Sequence, residues 1–209
     1  IGFVLFDMRS TGVLTKPIQL ISGESPFCET FFDDVRIPRT NLVGKENQGW
    51  SIAKKLLQHE RNMVAGMGTR GKTKNPANKI ENQAKQYVGE IDGKIASASL
   101  RESIARHQMD STAFASTLRR SAEEAKTTSA PSPASSMFKY YGTEQNKKRF
   151  EILVKIMGSQ GLGWEGDSFD GRELSINREW LRSKANSIEG GTSEVQLNII
   201  AKRVLGLPD

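Results

Sequence analysis

The chain has 209 residues, 36% of them apolar and 26% charged, enough to bury a core in one large or two small domains. Its 30 Lys and Arg against 24 Asp and Glu give a formal charge of +6, which suits an anionic ligand or simply a solubilising surface. No run is long and apolar enough to span a bilayer and no signal-peptide pattern opens the chain. The single cysteine, Cys28, excludes an internal disulfide, so the expected setting is a reducing, cytoplasmic one.

The chain opens on Ile1-Gly2-Phe3-Val4-Leu5-Phe6-Asp7-Met8, a strand-like run without an initiator Met, and this predicts a piece of a longer polypeptide. Two further strands are predicted, Gly12 to Leu20 and Glu29 to Ile37, parted by the turn-rich Ser22-Gly23-Glu24-Ser25-Pro26 and closed by Pro38. Up to about Gly44 the texture is antiparallel β; beyond it the apolar residues take helical spacing almost to the end. The spacing predicts a helix over Asn47 to Met67, a loop over Gly68 to Asn75, and helical segments over Pro76 to Lys126 with a break near Asp92 and Gly93. A Pro/Ser-rich link over Thr127 to Pro133 precedes a helix over Ala134 to Met157. A Gly-rich turn, Gly158 to Gly166, then leads through an irregular segment to Asn177, a short helix over Arg178 to Ala185 and a last helix over Ser193 to Leu205. Gly206 and Pro208 stop that helix.

The first helix carries an apolar stripe, Ile52, Ala53, Leu56, Leu57, Met63, Val64 and Met67, and Glu60 falls within it. A charge taken out of water costs several kcal/mol (roughly, for an unpaired ion) unless it is paired, is protonated at a raised pKa, or serves chemistry. An ion pair with another helix and a functional carboxylate both satisfy that requirement. Arg61 lies roughly 100° round the helix and does not neutralise Glu60 from the same face.

Near the C-terminus, Ile188-Glu189-Gly190-Gly191-Thr192-Ser193-Glu194-Val195-Gln196 has the chemistry of a helix start. Ser193 and Gln196 have capping-box spacing, and Gly190 and Gly191 let backbone approach a ligand closely. Amides at such a start, with a Thr hydroxyl beside them, suit a phosphate or a polarised ring edge; an ordinary capped helix after a Gly-Gly turn has the same sequence. Gly158-Ser159-Gln160-Gly161-Leu162-Gly163 follows a helix instead of a strand, so the dinucleotide fingerprint does not apply to it. No metal-ligand set is read.

The run Phe31-Phe32-Asp33-Asp34-Val35-Arg36-Ile37-Pro38, then Asn41-Leu42-Val43-Gly44 and Gln48-Gly49-Trp50, resembles the junction between the middle β-domain and the C-terminal helical domain of acyl-CoA dehydrogenases. Gly190-Gly191-Thr192-Ser193-Glu194-Val195-Gln196 resembles the closing flavin-site motif of that family, and Met157 to Gly163 stands in the expected place between the two. The resemblance covers the whole chain. It implies a mainly α fold, with residues 1–45 as the C-terminal half of a truncated middle β-domain and residues 46–209 as the C-terminal helical bundle. The implied parent is about twice the 209 residues here, and the fragment is expected to be inactive alone.

Chemically, the resemblance implies FAD-dependent α,β-dehydrogenation of an acyl-CoA, with electrons passed to an electron-transfer flavoprotein and the enzyme assembled as a homodimer or homotetramer. Many members carry the catalytic glutamate directly before Gly-Thr-Ser, where this chain has Gly190. The long-chain and isovaleryl branch has glycine there and its glutamate on the first helix of the C-terminal domain, where Glu60 stands, with Glu189 as the rival. By the same carry-over Gly190, Gly191, Thr192, Glu194 and Ser159 are flavin-contacting positions, Ser159 near the adenosine end and across a dimer interface, and Arg61 is a substrate-side candidate. Two features depart from the family: its Arg-x-x-Phe-Gly block has no counterpart between Asn75 and Leu100, and Lys155 stands where Gln is usual. Lys155 or Arg101 is the expected replacement cation. The alternatives are a catalytically silent partner subunit, a flavin monooxygenase or oxidase on the same fold, and a helical module using its charge on nucleic acid, which lacks the basic stripe interleaved with aromatics that such binding needs.

Overall fold

The computed structural model describes residues 1–67, 79–124, 126 and 134–208, the side chains of 58, 60–67, 134 and 135 excepted. The loop expected over 68–75 and the link expected over 127–133 lie outside the described residues. Contacts divide the chain into two compact units, Ile1–Met63 and Val64–Asp209.

In the first unit, strands β1 (Val13–Ile18) and β2 (Phe27–Phe32) pair antiparallel in the register Val13↔Phe32 to Ile18↔Phe27. The expected opening strand is instead an extended run pinned by one bridge, Val4↔Leu42, with Val43 N–H donating to the Phe3 carbonyl at 2.8 Å. It stops at a turn, where Ser10 N–H and Arg9 N–H donate to the Asp7 backbone and side chain. The expected strand over Glu29 to Ile37 ends early, because Asp34 takes a left-handed conformation (φ 44°) that turns the chain out of the ladder. Helix α1 (Gly49–Met67) follows as expected. Its stripe is partly covered at Ile52 and Ala53, but Leu56 and Leu57 are 56% and 43% exposed, so the expectation of a buried face fails at these two positions. Spacing reports which face of a helix is apolar; it does not report what covers that face.

The second unit is built around α4 (Ala134–Met157), with α2 (Ile80–Val88), α3 (Ala98–Glu124), α5 (Gly171–Ser183) and α6 (Ser193–Ile199) packed on it. Phe150, Ile152, Leu153, Ile156 and Met157 of α4 are buried with Ile80 and Ala84 of α2, Leu100 and Ile104 of α3, and Ile176 of α5. These α4 positions cover more than one face because helices pack on more than one side, and each large aliphatic side chain removed from water contributes about 1.5–3 kcal/mol. The predicted break near Asp92 is a hairpin of β3 (Glu90–Ile91) and β4 (Lys94–Ile95). Asp92 and Gly93 both take positive φ, 51° and 72°, the combination that a tight two-residue turn demands.

The segment expected to be irregular up to Asn177 contains most of α5. Asp170 is its N-cap, accepting from Arg172 N–H and Glu173 N–H at 2.8 Å, while Asp170 N–H donates to Glu173 Oε2 at 2.9 Å. This capping box offsets the weak helix propensity of the Gly-rich approach. The buried Glu173 also accepts from the Tyr87 hydroxyl at 2.8 Å, tying α5 to α2 and pushing the phenol up to about 12, with burial the larger cause. The last helix runs from Ser193 to Ile199 and continues as a π-turn over Ile200–Val204. No helix among the described residues is long and apolar enough to cross a membrane.

Candidate functional site

The turn that precedes α6 and the first residues of that helix hold five of the expected site residues together: Glu189, Gly190, Gly191, Thr192 and Glu194. Gly190 and Gly191 are consecutive left-handed residues, φ 65° and 94°, and lead directly into Thr192 and Ser193. The conformation of Gly191 favours glycine, and a Cβ there would stand 2.6 Å from Gln196 Nε2 and displace the end of that side chain. Thr192, not Ser193, is the N-cap: Val195 N–H donates to Thr192 Oγ1 at 3.3 Å. The expected Ser193–Gln196 capping box is not formed. Both side chains are engaged elsewhere, Ser193 Oγ with Glu144 Oε1 of α4 at 3.3 Å and Gln196 Nε2 with the Gly190 carbonyl at 3.4 Å. Glu194 is exposed, and its own backbone N–H, then the Thr192 hydroxyl, with Lys147 and Lys139 beyond, hold its carboxyl below the usual carboxylate range.

Glu189 is tied down on both oxygens. Arg182 Nη2 donates to Oε2 at 2.9 Å and Asn186 Nδ2 donates to Oε1 at 2.7 Å. Both oxygens are therefore engaged by neighbouring side chains. Glu60 and Arg61 lie on α1, and their side chains fall outside the described residues.

Ser159 is exposed in a 3-10 turn, Gly158–Leu162, at the C-terminal end of α4, whereas the contact of α4 with Ser193 is made by Glu144. At 1.5 Å per helical residue these places are about 20 Å apart along α4, so within one chain Ser159 does not join the Gly190–Glu194 turn. Lys155 is exposed one turn before Ser159, while Arg101 uses Nη1 to hold the Ile95 carbonyl of β4.

The residues that support the turn had no place in the sequence reading. Lys139 is only 8% exposed, and its Nζ donates to the Asn186 carbonyl at 3.0 Å. Burial pushes its ammonium below the ordinary lysine value, against the pull of Glu189, Glu144 and Glu194. Asn146 Nδ2 donates to Asn186 Oδ1 at 3.0 Å. The signal was present in the chain: Lys139, Thr143, Asn146, Phe150, Leu153 and Met157 repeat at alternating steps of four and three, so Lys139 and Asn146 share a stripe with three core residues. Lys139 stands in the apolar stripe of α4 as Glu60 stands in that of α1.

Residues 47–205 match the family model "Acyl-CoA dehydrogenase, C-terminal domain". Acyl-CoA dehydrogenase IpdE1 of Mycolicibacterium smegmatis is 30% identical over all of this chain and 49% of its own length. The mitochondrial long-chain specific acyl-CoA dehydrogenase of Sus scrofa is 26% identical over 85% of this chain and 39% of its own. Among solved structures, the Tcur3481-Tcur3483 steroid ACAD superposes on 99% of this chain and 52% of its own with a TM-score of 0.79 at 23% identity, a likeness of fold. The chain spans about half the length of IpdE1 and less of the porcine enzyme. A mainly helical fold around α4 and a match across 47–205 together show that the chain belongs to the acyl-CoA dehydrogenase family, whose C-terminal domain it carries.

Proposed function

We propose that the protein to which this chain belongs oxidises an acyl-CoA thioester at its α,β bond, using FAD and passing the electrons to an electron-transfer flavoprotein. The observation that carries the reading is the Gly190-Gly191-Thr192 turn, two left-handed glycines running into a capped helix start. The residues present suit a flavin: exposed Gly190 brings bare backbone to the surface, and Thr192 and the exposed Glu194 stand beside it at the start of α6. Ser159, about 20 Å away along α4, suits the other end of an extended cofactor held across a dimer or tetramer of identical chains. Lys155, one turn before it, is the cation we assign to the pyrophosphate, since Arg101 is engaged with Ile95.

FAD, when bound, supplies the acceptor for the β-hydride. The task left to the chain is removal of the α-proton, and we assign it to Glu60. Glu189 is occupied by Arg182 and Asn186, and Gly190 has no side chain at the place where other members carry their glutamate. An apolar setting that raises the carboxyl toward neutrality is what a base of this kind needs. Arg61 is assigned to the substrate side of the cleft, residues 1–45 to part of a middle β-domain and 46–209 to the helical domain.

The engagement of Arg101 also favours a second reading, a partner subunit that binds flavin weakly and is catalytically silent, or a monooxygenase or oxidase on the same fold. Purification of the full-length protein tests the two. The dehydrogenase reading expects a yellow protein whose flavin absorbance bleaches anaerobically with a suitable acyl-CoA. A colourless protein that assembles normally and gains no flavin from added FAD contradicts it and supports the silent subunit.

A further inference from the structure

Lys147 and Glu144 sit one helical turn apart on α4, and together they reach both ends of the flavin-site turn. Lys147 Nζ donates to both oxygens of Glu144, at 3.1 and 3.0 Å, and to Ser187 Oγ at 3.2 Å. Glu144 Oε1 in turn accepts from Ser193 Oγ at 3.3 Å. Ser187 stands immediately before Ile188-Glu189-Gly190-Gly191-Thr192 and Ser193 immediately after it. One ion pair on a rigid helix therefore grips a five-residue loop at its two feet. Two consecutive left-handed glycines have more backbone freedom to lose than any other pair, so a loop built on them needs outside constraint to keep a single shape.

We propose that Glu144 and Lys147 are positioning residues, a clamp that holds the Ile188–Thr192 loop in its bound shape before the cofactor arrives. The proposal rests on the flavin reading of that loop and adds what pre-forms it. An isolated ion pair at a protein surface contributes little, but here each ion also holds a loop hydroxyl, so loss of one partner frees one foot of the loop and leaves the other ion's bonds unbalanced. Lys139 and Asn146, through Asn186, hold the chain just upstream and define how far the loop can open. A clamped loop meets its ligand without ordering cost, which raises affinity without any new contact.

The test is hydrogen-exchange mass spectrometry on the full-length protein stripped of flavin, with FAD affinity measured in parallel. Lys147→Met should raise exchange over residues 186–195 about tenfold, the change expected on loss of a charge-assisted hydrogen bond, while α2 and α3 keep wild-type rates. FAD affinity should weaken by a similar factor, Lys147→Arg should restore both, and Glu102→Gln, which breaks an exposed pair on α3, should change neither. Should Lys147→Met fail to fold, Ser193→Ala releases one foot alone and should give the same local rise on a smaller scale. Unchanged exchange over 186–195, or an equal rise throughout the helical unit, overturns the clamp. A local rise with unaltered FAD affinity upholds the clamp and instead removes the flavin assignment of the loop.

Discussion

Gly191→Ala isolates the backbone geometry on which the proposed cofactor site depends. At φ 94° an alanine is held in a region that costs an L-residue about 1–2 kcal/mol. Its Cβ would also stand 2.6 Å from Gln196 Nε2. Gln196 is buried and must swing away, giving up its hydrogen bond to the Gly190 carbonyl for about 1 kcal/mol more. In the variant this strain works against the clamp and drives the loop out of its bound shape, which FAD binding must restore, so the sum of about 2–3 kcal/mol falls on the bound form. FAD affinity of the full-length protein should therefore drop on the order of 100-fold in a fluorescence titration. Gly191→Ala with Gln196→Ala removes the collision but restores neither the φ penalty nor the lost hydrogen bond, and should bind FAD within about twofold of the single variant. An alanine at 191 that leaves FAD affinity within about twofold of wild type would refute the assignment of this turn to the cofactor.

His107 of α3 is buried with Nδ1 unpartnered. Burial first, then Arg149 and Lys148, push its pKa below the ordinary 6.5, against Asp110 and a Gln145 hydrogen bond. As pH falls through 6.5 the unfolded chain takes up that proton before the folded one, so stability declines there, by at most about 1 kcal/mol down to about pH 5.5; His107→Gln should flatten that part of a urea-denaturation profile. Asp170→Ala removes the cap of α5 and should destabilise the helical unit by about 1–2 kcal/mol in the same measurement, with amide exchange rising first over residues 171–175.

Helical spacing sufficed for α1 and α4, whose stripes are long and regular, and Asp92-Gly93 announced the hairpin between α2 and α3 through its turn chemistry. The glycines before α5 mask its start, although Asp170 and Glu173 have the spacing of a capping box in the chain. Ser193 and Thr192 are both good N-caps by residue type, and the choice between them was made by Glu144, a residue far along the chain. That same dependence explains why the supports of the turn were missed: Lys139, Asn146 and Lys147 act on Asn186 and Ser187 across 40 or more residues of sequence, a pairing that only the folded chain reveals. The opening strand failed for a local reason, since a strand-like run that meets a turn at Asp7 keeps a single bridge and no ladder.

The assignment of proton abstraction to Glu60 has its most direct test in stopped-flow flavin reduction by an acyl-CoA under anaerobic conditions, comparing full-length Glu60→Gln and Glu189→Gln. Loss of a general base predicts flavin reduction slowed by about 100-fold or more in Glu60→Gln with FAD still bound, and a far smaller loss in Glu189→Gln, whose carboxylate is committed to Arg182. Wild-type reduction by Glu60→Gln, or near-complete loss in Glu189→Gln alone, would contradict the account.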